Sequence, residues 1–205
     1  MDKNISKERL EKQFAFCLEV DKEKKIERQT YISDGSRQEN DAEHAWHMAL
    51  MTLILSEYAN EEIDILKTIS MILIHDVVEI DAGDTYAYDE EGKKTQKERE
   101  LKAADRIFAM LPEDQQVKFR ALWDEFEAAE TKEAKFARTM DNLQPMMLNN
   151  ATDGRRWQEK GVRLSQVLKR NERTPKGSKE LWDYAYENML KPNVEKGKIV
   201  DDTIL

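Results

Sequence analysis

Histidine is scarce in this sequence, and its placement points to a metal-binding or acid–base site. The 205 residues contain only His44, His47 and His75. His75 is followed by Asp76 and closes the most apolar stretch of the chain. An ionised carboxylate in such surroundings costs several kcal/mol or more unless a partner neutralises it. A helix-end hydrogen bond, an arginine or a metal ion could each be that partner.

Acidic residues crowd the positions after His75. Asp76, Glu79, Asp81 and Asp84 place four carboxylates beside the imidazole within ten residues. Positions i, i+3 and i+4 share one helix face, so Glu79 is expected beside both His75 and Asp76. Without a cation these carboxylates would repel one another. A divalent metal with nitrogen and oxygen ligands is the simplest explanation, while a solvated acidic loop also explains Asp81.

Two distant residues have matching chemistry. His44 opens a predicted helix, and Asp141 interrupts the apolar stripe of another. Taken singly, His44 could be a capping or core residue and Asp141 part of a helix surface. His47 follows His44 by less than one helical turn, and we expect it to pack or to support the site rather than to bind the metal.

Composition limits the class of protein. With 33 basic and 42 acidic residues the net charge is −9, and clustered Lys and Arg are needed to bind nucleic-acid polymers or anionic membranes. We therefore expect neither partner, and a phosphorylated small molecule would need local positive charge. The single cysteine, Cys17, excludes an internal disulfide and a cysteine-rich zinc site. No secretory signal is visible, which favours the cytoplasm.

Apolar residues recur at spacings of three, four and seven, and only 7 Gly and 4 Pro interrupt them, so the sequence predicts an all-α fold. We expect one bundle of about seven to nine helices over residues 1–192 and a polar tail over 193–205. A polar connection is expected over about 29–41. Residues suited to capping helix N-termini are Ser6, Asn60, Thr95, Thr131 and Ser178.

Several apolar helix stripes are assigned to the core. The first predicted helix has an inward stripe of Leu10, Phe14, Cys17 and Leu18. The helix before His75 is apolar nearly all round, which is typical of a buried helix, and includes Leu66, Ile69, Leu73 and Ile74. The tryptophans are also expected in the core: Trp46, Trp123, Trp157 and Trp182.

Together, His44, the His75-Asp76 pair and Asp141 form a known pattern, with 30 residues between the histidines and 64 between Asp76 and Asp141. It resembles the HD-domain metal-dependent phosphohydrolases. The string HDVVEIDAGD, residues 75–84, looks like the HD-x-x-E-x-x-x-G-D segment of the 5'-deoxynucleotidase branch. Upstream, Arg28 and residues 40–44 (NDAEH) look like that branch's leading arginine and N-x-x-E-H motif.

The resemblance implies a set of roles. The metal ligands would be His44, His75, Asp76 and Asp141. They suit a divalent ion of Mn, Co, Fe, Ni or Zn type and leave places for water and a phosphate oxygen. Glu79 and Asp84 would act as acid/base and orienting groups, or hold a second hydrated ion such as Mg. Arg28 would bind the phosphate. The branch can have tryptophan after this arginine, where this sequence has Gln29.

The implied activity is hydrolysis of nucleoside or deoxynucleoside 5'-monophosphates to nucleoside and phosphate. Alternatives within the superfamily are hydrolysis of an alarmone pyrophosphate or of a cyclic nucleotide. A different class is a non-catalytic helical binding protein stabilised by a structural metal. Self-association as a homodimer or other homo-oligomer is also expected, because aromatic and Met residues are available for a helical interface.

Overall fold

The computed structural model describes residues 6–203 and confirms the all-α prediction. Within that range the α-helices are α1 (Lys7–Val20), α2 (Asp41–Leu55), α3 (Ile65–Ile72), α4 (Glu79–Ala82), α5 (Lys93–Phe108), α6 (Glu113–Ala128), α7 (Lys132–Ala151), α8 (Arg155–Glu159), α9 (Leu164–Arg170), α10 (Thr174–Gly177), α11 (Lys179–Ala185) and α12 (Lys191–Glu195). There are more than the expected seven to nine because α4, α8, α10 and α12 are segments of only four or five residues.

The longest helix, α7, occupies the centre of the bundle. It packs against α2, α3, α6 and α10. Its apolar residues at spacings of three and four fall on one face, and Phe136, Met140 and Leu143 are buried there. The helix also carries Asp141. The central core therefore fixes the position of one proposed metal ligand.

A second core cluster supports the His75-Asp76 segment. Ile74, Val77 and Val78 are buried against α5 and α6. The indole nitrogen Nε1 of Trp123 donates a hydrogen bond of 3.1 Å to the backbone oxygen of His75. The turn that carries the histidine is thus held both by apolar contacts and by a polar one.

The polar connection before α2 is not a simple loop. It contains β1 (Glu27–Tyr31) and β2 (Gln38–Asn40), an antiparallel pair in which Glu27 lies opposite Asn40. Asn40 then caps α2: its side chain accepts from the Glu43 backbone, and the Glu43 side chain accepts from the Asn40 backbone. This capping box sets the start of α2 and hence the position of His44 one turn inside it.

Three predicted helix caps are confirmed and two are wrong. The side chains of Ser6, Thr131 and Ser178 each accept a backbone hydrogen bond at the start of a helix. Asn60 does not cap α3, because the helix begins later and Asp64 is its cap. The side chain of Asn60 instead donates to the backbone oxygen of Pro175 and accepts from the backbone nitrogen of Lys179. Thr95 lies inside α5.

Part of the predicted core is exposed. In α1 the residues that face the protein are Phe16, whose ring meets Phe119 edge-on at 5.9 Å, and Glu19. The predicted stripe faces outward: Phe14 is 71% and Leu18 73% exposed, and Leu10 and Cys17 are exposed as well. Trp46, Leu66 and Leu73 are also exposed. Trp123 and Trp157 are buried as expected.

The residues assigned to a polar C-terminal tail pack against the bundle as far as they are described. Ile199 is buried in the central core. The Val200 backbone donates to Val162 and accepts from Leu164. The apolar side chains of Val194 and Ile199 anchor this mostly polar segment. Over residues 6–203, no helix combines the length and the apolar character required to cross a membrane.

Candidate metal centre

Three side chains from distant parts of the chain converge inside the bundle. His44 comes from α2, His75 from the turn after α3, and Asp141 from α7. Oδ1 of Asp141 lies 3.3 Å from Nε2 of His44 and 3.9 Å from Nε2 of His75. One ligand atom of each lies within 4.8 Å of the others. Ligands bound at about 2.0–2.2 Å to one ion have comparable mutual separations.

Both imidazoles are oriented by hydrogen bonds on the side away from the cluster. Nδ1 of His75 donates to the backbone oxygen of Ile72 at 2.7 Å, and Nδ1 of His44 donates to Oε1 of Gln144 at 2.9 Å. These bonds place each Nε2 toward Asp141, where the neutral form of each ring would present a lone pair. Nε2 of His75 is buried without a hydrogen bond of ordinary geometry. The two imidazoles are therefore arranged as metal ligands.

Asp76 lies at the edge of this cluster. Its Oδ2 is 2.9 Å from Nε2 of His75 and accepts a 2.7 Å hydrogen bond from Nη1 of Arg28. The expectation that His75, Asp76 and Glu79 share one helix is wrong, because α3 ends at Ile72 and Glu79 begins α4. The turns between the two helices bring the three side chains to one cavity instead.

The electrostatics of the cluster favour positive charge at its centre. Burial lowers the pKa of His44 to about 4, so its imidazole is neutral, as a metal ligand must be. Burial also opposes a charge on His75, but the nearby carboxylates of Asp76 and Asp141 outweigh it and raise that pKa to about 9. For Asp141, the contact with Nε2 of His44 and the charge of Arg170 overcome burial and hold the pKa well below its usual range.

A cavity of about 160 Å³ opens beside the cluster. Its lining includes all but one of the candidate residues, namely Arg28, His75, Asp76, Glu79, Asp84 and Asp141; His44 lies behind it. Burial, reinforced by Asp76, raises the pKa of Glu79 well above its usual value, and Oε2 of Glu79 has no hydrogen-bond partner. Burial also raises the pKa of Asp84. Glu79 therefore holds a proton more readily than an exposed glutamate does.

Arg28 is shared among several carboxylates. Besides Asp76, its guanidinium lies 3.2 Å from Asp41 and 3.8 Å from Glu39. Within the cavity wall it is joined by Arg138, Arg156 and Arg170, none of which the sequence pattern had identified. Arg170 donates to Oδ2 of Asp141 at 3.2 Å. The cavity thus has more positive charge than the single predicted arginine supplies.

Other residues near the motif have supporting roles. Asp81 forms an ion pair with Arg106, so the solvated-loop interpretation fits it better than the metal one. His47 lies 3.2 Å from Nε2 of Gln144 and therefore contacts the group that orients His44. Gln144 itself was missed, although it follows Asp141 by three residues and so lies on the same face of α7.

The donor set of two oriented, buried imidazoles and buried carboxylates fits a divalent metal ion. The fold and this site define the class of protein. A family model described as HD domain matches residues 20–182, and the chain belongs to this family.

Particular relatives agree with that assignment. Human 5'-deoxynucleotidase HDDC2 is 28% identical over 111 residues, which are 54% of this chain and 53% of the human protein. The Bos taurus protein of the same name is 29% identical over 110 residues. The matched region covers about half the length of each of these curated relatives. The predicted resemblance to the 5'-deoxynucleotidase branch is confirmed.

Solved structures share the fold. The crystal structure of a predicted metal-dependent phosphohydrolase from Magnetospirillum magnetotacticum superimposes with a TM-score of 0.89 at 47% identity. The alignment covers 94% of this chain and 96% of that one. A conserved hypothetical protein from Pyrococcus furiosus is 23% identical with a TM-score of 0.58, and this likeness concerns the fold alone.

Proposed function

We propose that this protein is a metal-dependent phosphomonoesterase that hydrolyses nucleoside and deoxynucleoside 5'-monophosphates to nucleoside and phosphate. The observation that carries the proposal is the His44, His75 and Asp141 cluster at a cavity that also holds a buried Glu79 whose pKa is raised. The names of the curated relatives support the choice of substrate class.

The metal would be held by His44, His75, Asp76 and Asp141, and it would be of Mn, Co, Fe, Ni or Zn type. When bound, such an ion polarises the phosphoryl group and lowers the pKa of a coordinated water. Asp84 would orient water or the sugar hydroxyl. Alternatively, Glu79 and Asp84 in the cavity wall would hold a second hydrated ion such as Mg.

The side chains of the cavity have complementary tasks. Glu79, whose pKa is raised by burial, would donate a proton to the leaving oxygen of the nucleoside. Arg28 would place its positive charge next to the phosphate, anchored by its hydrogen bond to Asp76. Tyr86, Tyr88 and Trp157 also line the cavity and offer aromatic surface to the rest of the nucleotide.

The experiment is phosphate release from a panel of eight nucleoside and deoxynucleoside 5'-monophosphates, after the protein is stripped of metal and reloaded with Mn²⁺ or Co²⁺. Release is expected only with metal, and Asp76→Asn should abolish it. Asp81→Asn is the matched control, because Asp81 belongs to the same acidic segment but pairs with Arg106. Phosphate release that survives in Asp76→Asn, or none from any of the eight, would refute the proposal.

We further propose that the chain acts on small phosphorylated molecules in the cytoplasm, not on nucleic-acid polymers or membranes. The net charge of −9 supports this, since polymers of phosphate would be repelled by most of the surface.

Finally, we propose that two copies associate through the outer face of α2. From His44 to Leu55 this helix contains no Asp, Glu, Lys or Arg. Trp46, Leu50, Leu53 and Ile54 are exposed on one face at helical spacing. A helix that is apolar all round is normally buried. A second copy is the natural occupant, because an isologous contact sets this uncharged stripe against itself, away from the charges of two acidic chains.

A further inference from the structure

A second groove adjoins the proposed active-site cavity. It has a volume of about 460 Å³ and shares four wall residues with the cavity: Glu127, Arg138, Asn142 and Arg170. The cavity itself measures about 160 Å³, whereas small-molecule sites usually span roughly 300–1,000 Å³. The shared wall leads from the cavity into this groove, so a ligand larger than the cavity would extend into the groove.

The groove is strongly basic although the chain as a whole is acidic. Six cationic side chains line it, against the three carboxylates of Glu127, Glu130 and Glu172; the cations are Lys135, Arg138, Lys169, Arg170, Arg173 and Lys176. In the described part of the chain, ion pairs within 4.0 Å involve Arg138 and Arg170 but not the other four cations. Four cations of the groove thus form no ion pair within 4.0 Å among the described residues, and the six cations exceed the three carboxylates of the lining by three charges.

Packing fixes the backbone that carries part of this basic lining. The α10 segment lies directly on α7, where the hydroxyl of Thr139 donates to the backbone oxygen of Thr174 at 2.9 Å. Asn142 donates to the hydroxyl of Thr174 at 3.0 Å. These bonds fix the backbone that carries Arg173 and Lys176 beside Lys135 on α7. The backbone positions of Lys135, Arg173 and Lys176 along the groove are consequently set by the contact between α10 and α7.

Two of the arginines connect the groove with the metal cluster. Arg170 and Arg138 have guanidinium nitrogens 3.2 and 3.6 Å from Oδ2 of Asp141, and both also line the groove. The groove therefore begins within one side chain of a proposed metal ligand. An anionic group bound there would lie next to a ligand in the cavity.

We propose that this groove binds a second phosphate group, so that the preferred ligand is a nucleotide carrying a phosphate in addition to the 5'-phosphate in the cavity. Clustered Lys and Arg favour a dianionic phosphate over a single carboxylate. The volume suits a small molecule. This inference rests on the proposed nucleotide site and names its ligand more closely as a nucleoside bisphosphate.

The test is calorimetric binding of adenosine 3',5'-bisphosphate and of adenosine 5'-monophosphate to the full chain in a chelating buffer, where no metal-dependent turnover interferes. The unaltered protein is expected to bind the bisphosphate at least about tenfold more tightly, and 200 mM salt should reduce this preference relative to 50 mM. The triple variant Lys169→Ala, Arg173→Ala, Lys176→Ala should lose the preference while its monophosphate affinity changes less than about threefold.

A matched triple variant, Lys25→Ala, Lys97→Ala, Lys118→Ala, removes the same charge from exposed positions outside the groove and should keep the preference. Equal affinity for both nucleotides, or equal loss in both triple variants, overturns the inference. Tighter binding of a single-stranded oligonucleotide than of the bisphosphate overturns it in favour of a polymer. Because the measurement needs no catalysis, a bisphosphate preference without phosphate release would refute only the proposed activity.

Discussion

Nδ1 of His44 donates a hydrogen bond of 2.9 Å to Oε1 of Gln144, and this contact orients one of the two imidazoles of the candidate metal site. The amide of Gln144 is itself held, because its Nε2 donates to Glu39 at 2.8 Å. The chain from Glu39 through Gln144 to His44 is entirely buried. The structure therefore fixes the tautomer of His44 from outside the ligand set.

Replacement of this glutamine should weaken metal binding. Gln144→Leu keeps the approximate volume but removes the acceptor for Nδ1 of His44, and loss of such a partner typically costs 10–100-fold in metal affinity. Titration calorimetry with Mn²⁺ measures the effect. Gln115→Leu, at a residue whose amide only meets Gln13 near the surface, should leave the affinity unchanged. Equal affinities of both variants would contradict an orienting role.

Glu23 should make the stability of the metal-free protein depend on pH. Burial, reinforced by Asp76, raises its pKa from 4.5 to about 8. Between these values the unfolded chain has lost the proton that the folded chain keeps, so the free energy of unfolding falls as pH rises. Glu23→Gln removes this loss and should stabilise the protein by up to about 3 kcal/mol at pH 7, since one pKa unit corresponds to about 1.36 kcal/mol.

Urea unfolding in a chelating buffer at pH 4.5 and pH 8 measures this dependence. The variant and the unaltered protein should differ little at the lower pH and most at the higher one. A difference of the same size at both pH values would show that the substitution acts through packing and not through ionisation.

Gly177 should not tolerate a larger side chain. A Cβ atom at this position would lie 2.4 Å from the backbone oxygen of Lys135 and equally close to the hydroxyl of Thr139. Gly177→Ala must push α10 away from α7 and is expected to lower the free energy of unfolding by about 1–3 kcal/mol.

The control is Gly161→Asn, where no atom lies within 4 Å of the added Cβ and asparagine tolerates the left-handed backbone. Thermal unfolding compares the two variants. If Gly177→Ala were the less destabilising of the two, the close approach of α10 and α7 would not be a constraint.

Charges on the outer face of α2 should abolish self-association. The double variant Trp46→Glu, Ile54→Glu places two carboxylates on an apolar surface and is expected to sediment as a single chain, whereas the unaltered protein sediments as two. Val117→Glu changes a similarly exposed apolar residue on α6 and should stay dimeric. A monomeric unaltered protein at micromolar concentration would refute the proposed interface.

Much of the fold follows from local rules that a sequence expresses directly. Helical spacing of apolar residues predicted the helical class, and the hydroxyl groups of Ser6, Thr131 and Ser178 predicted three helix starts because capping depends on residues within one turn. The cap at Asn60 failed because this side chain bonds to a segment more than a hundred residues away. Local chemistry alone does not identify such a partner.

The apolar faces of helices likewise depend partly on local sequence and partly on distant contacts. The spacing of Phe14 and Leu18 correctly places them on one side of α1, yet that side faces outward, because α1 docks through Phe16. Periodicity defines a stripe on a helix but not the neighbour against which it packs. The exposure of Trp46 and Leu66, both predicted to be buried, has the same cause.

The sequence by itself identified the candidate ligands His44, His75, Asp76 and Asp141, because residue types and their spacing can be read without any knowledge of the fold. The tertiary structure decided what surrounds them: Gln144 behind His44, Arg138 and Arg170 beside Asp141, and the basic groove beyond. These neighbours come from α7 and α9, which the bundle brings together only when its core is packed. Apolar burial sets those distances, and the hydrogen bonds and ion pairs of the site depend on them.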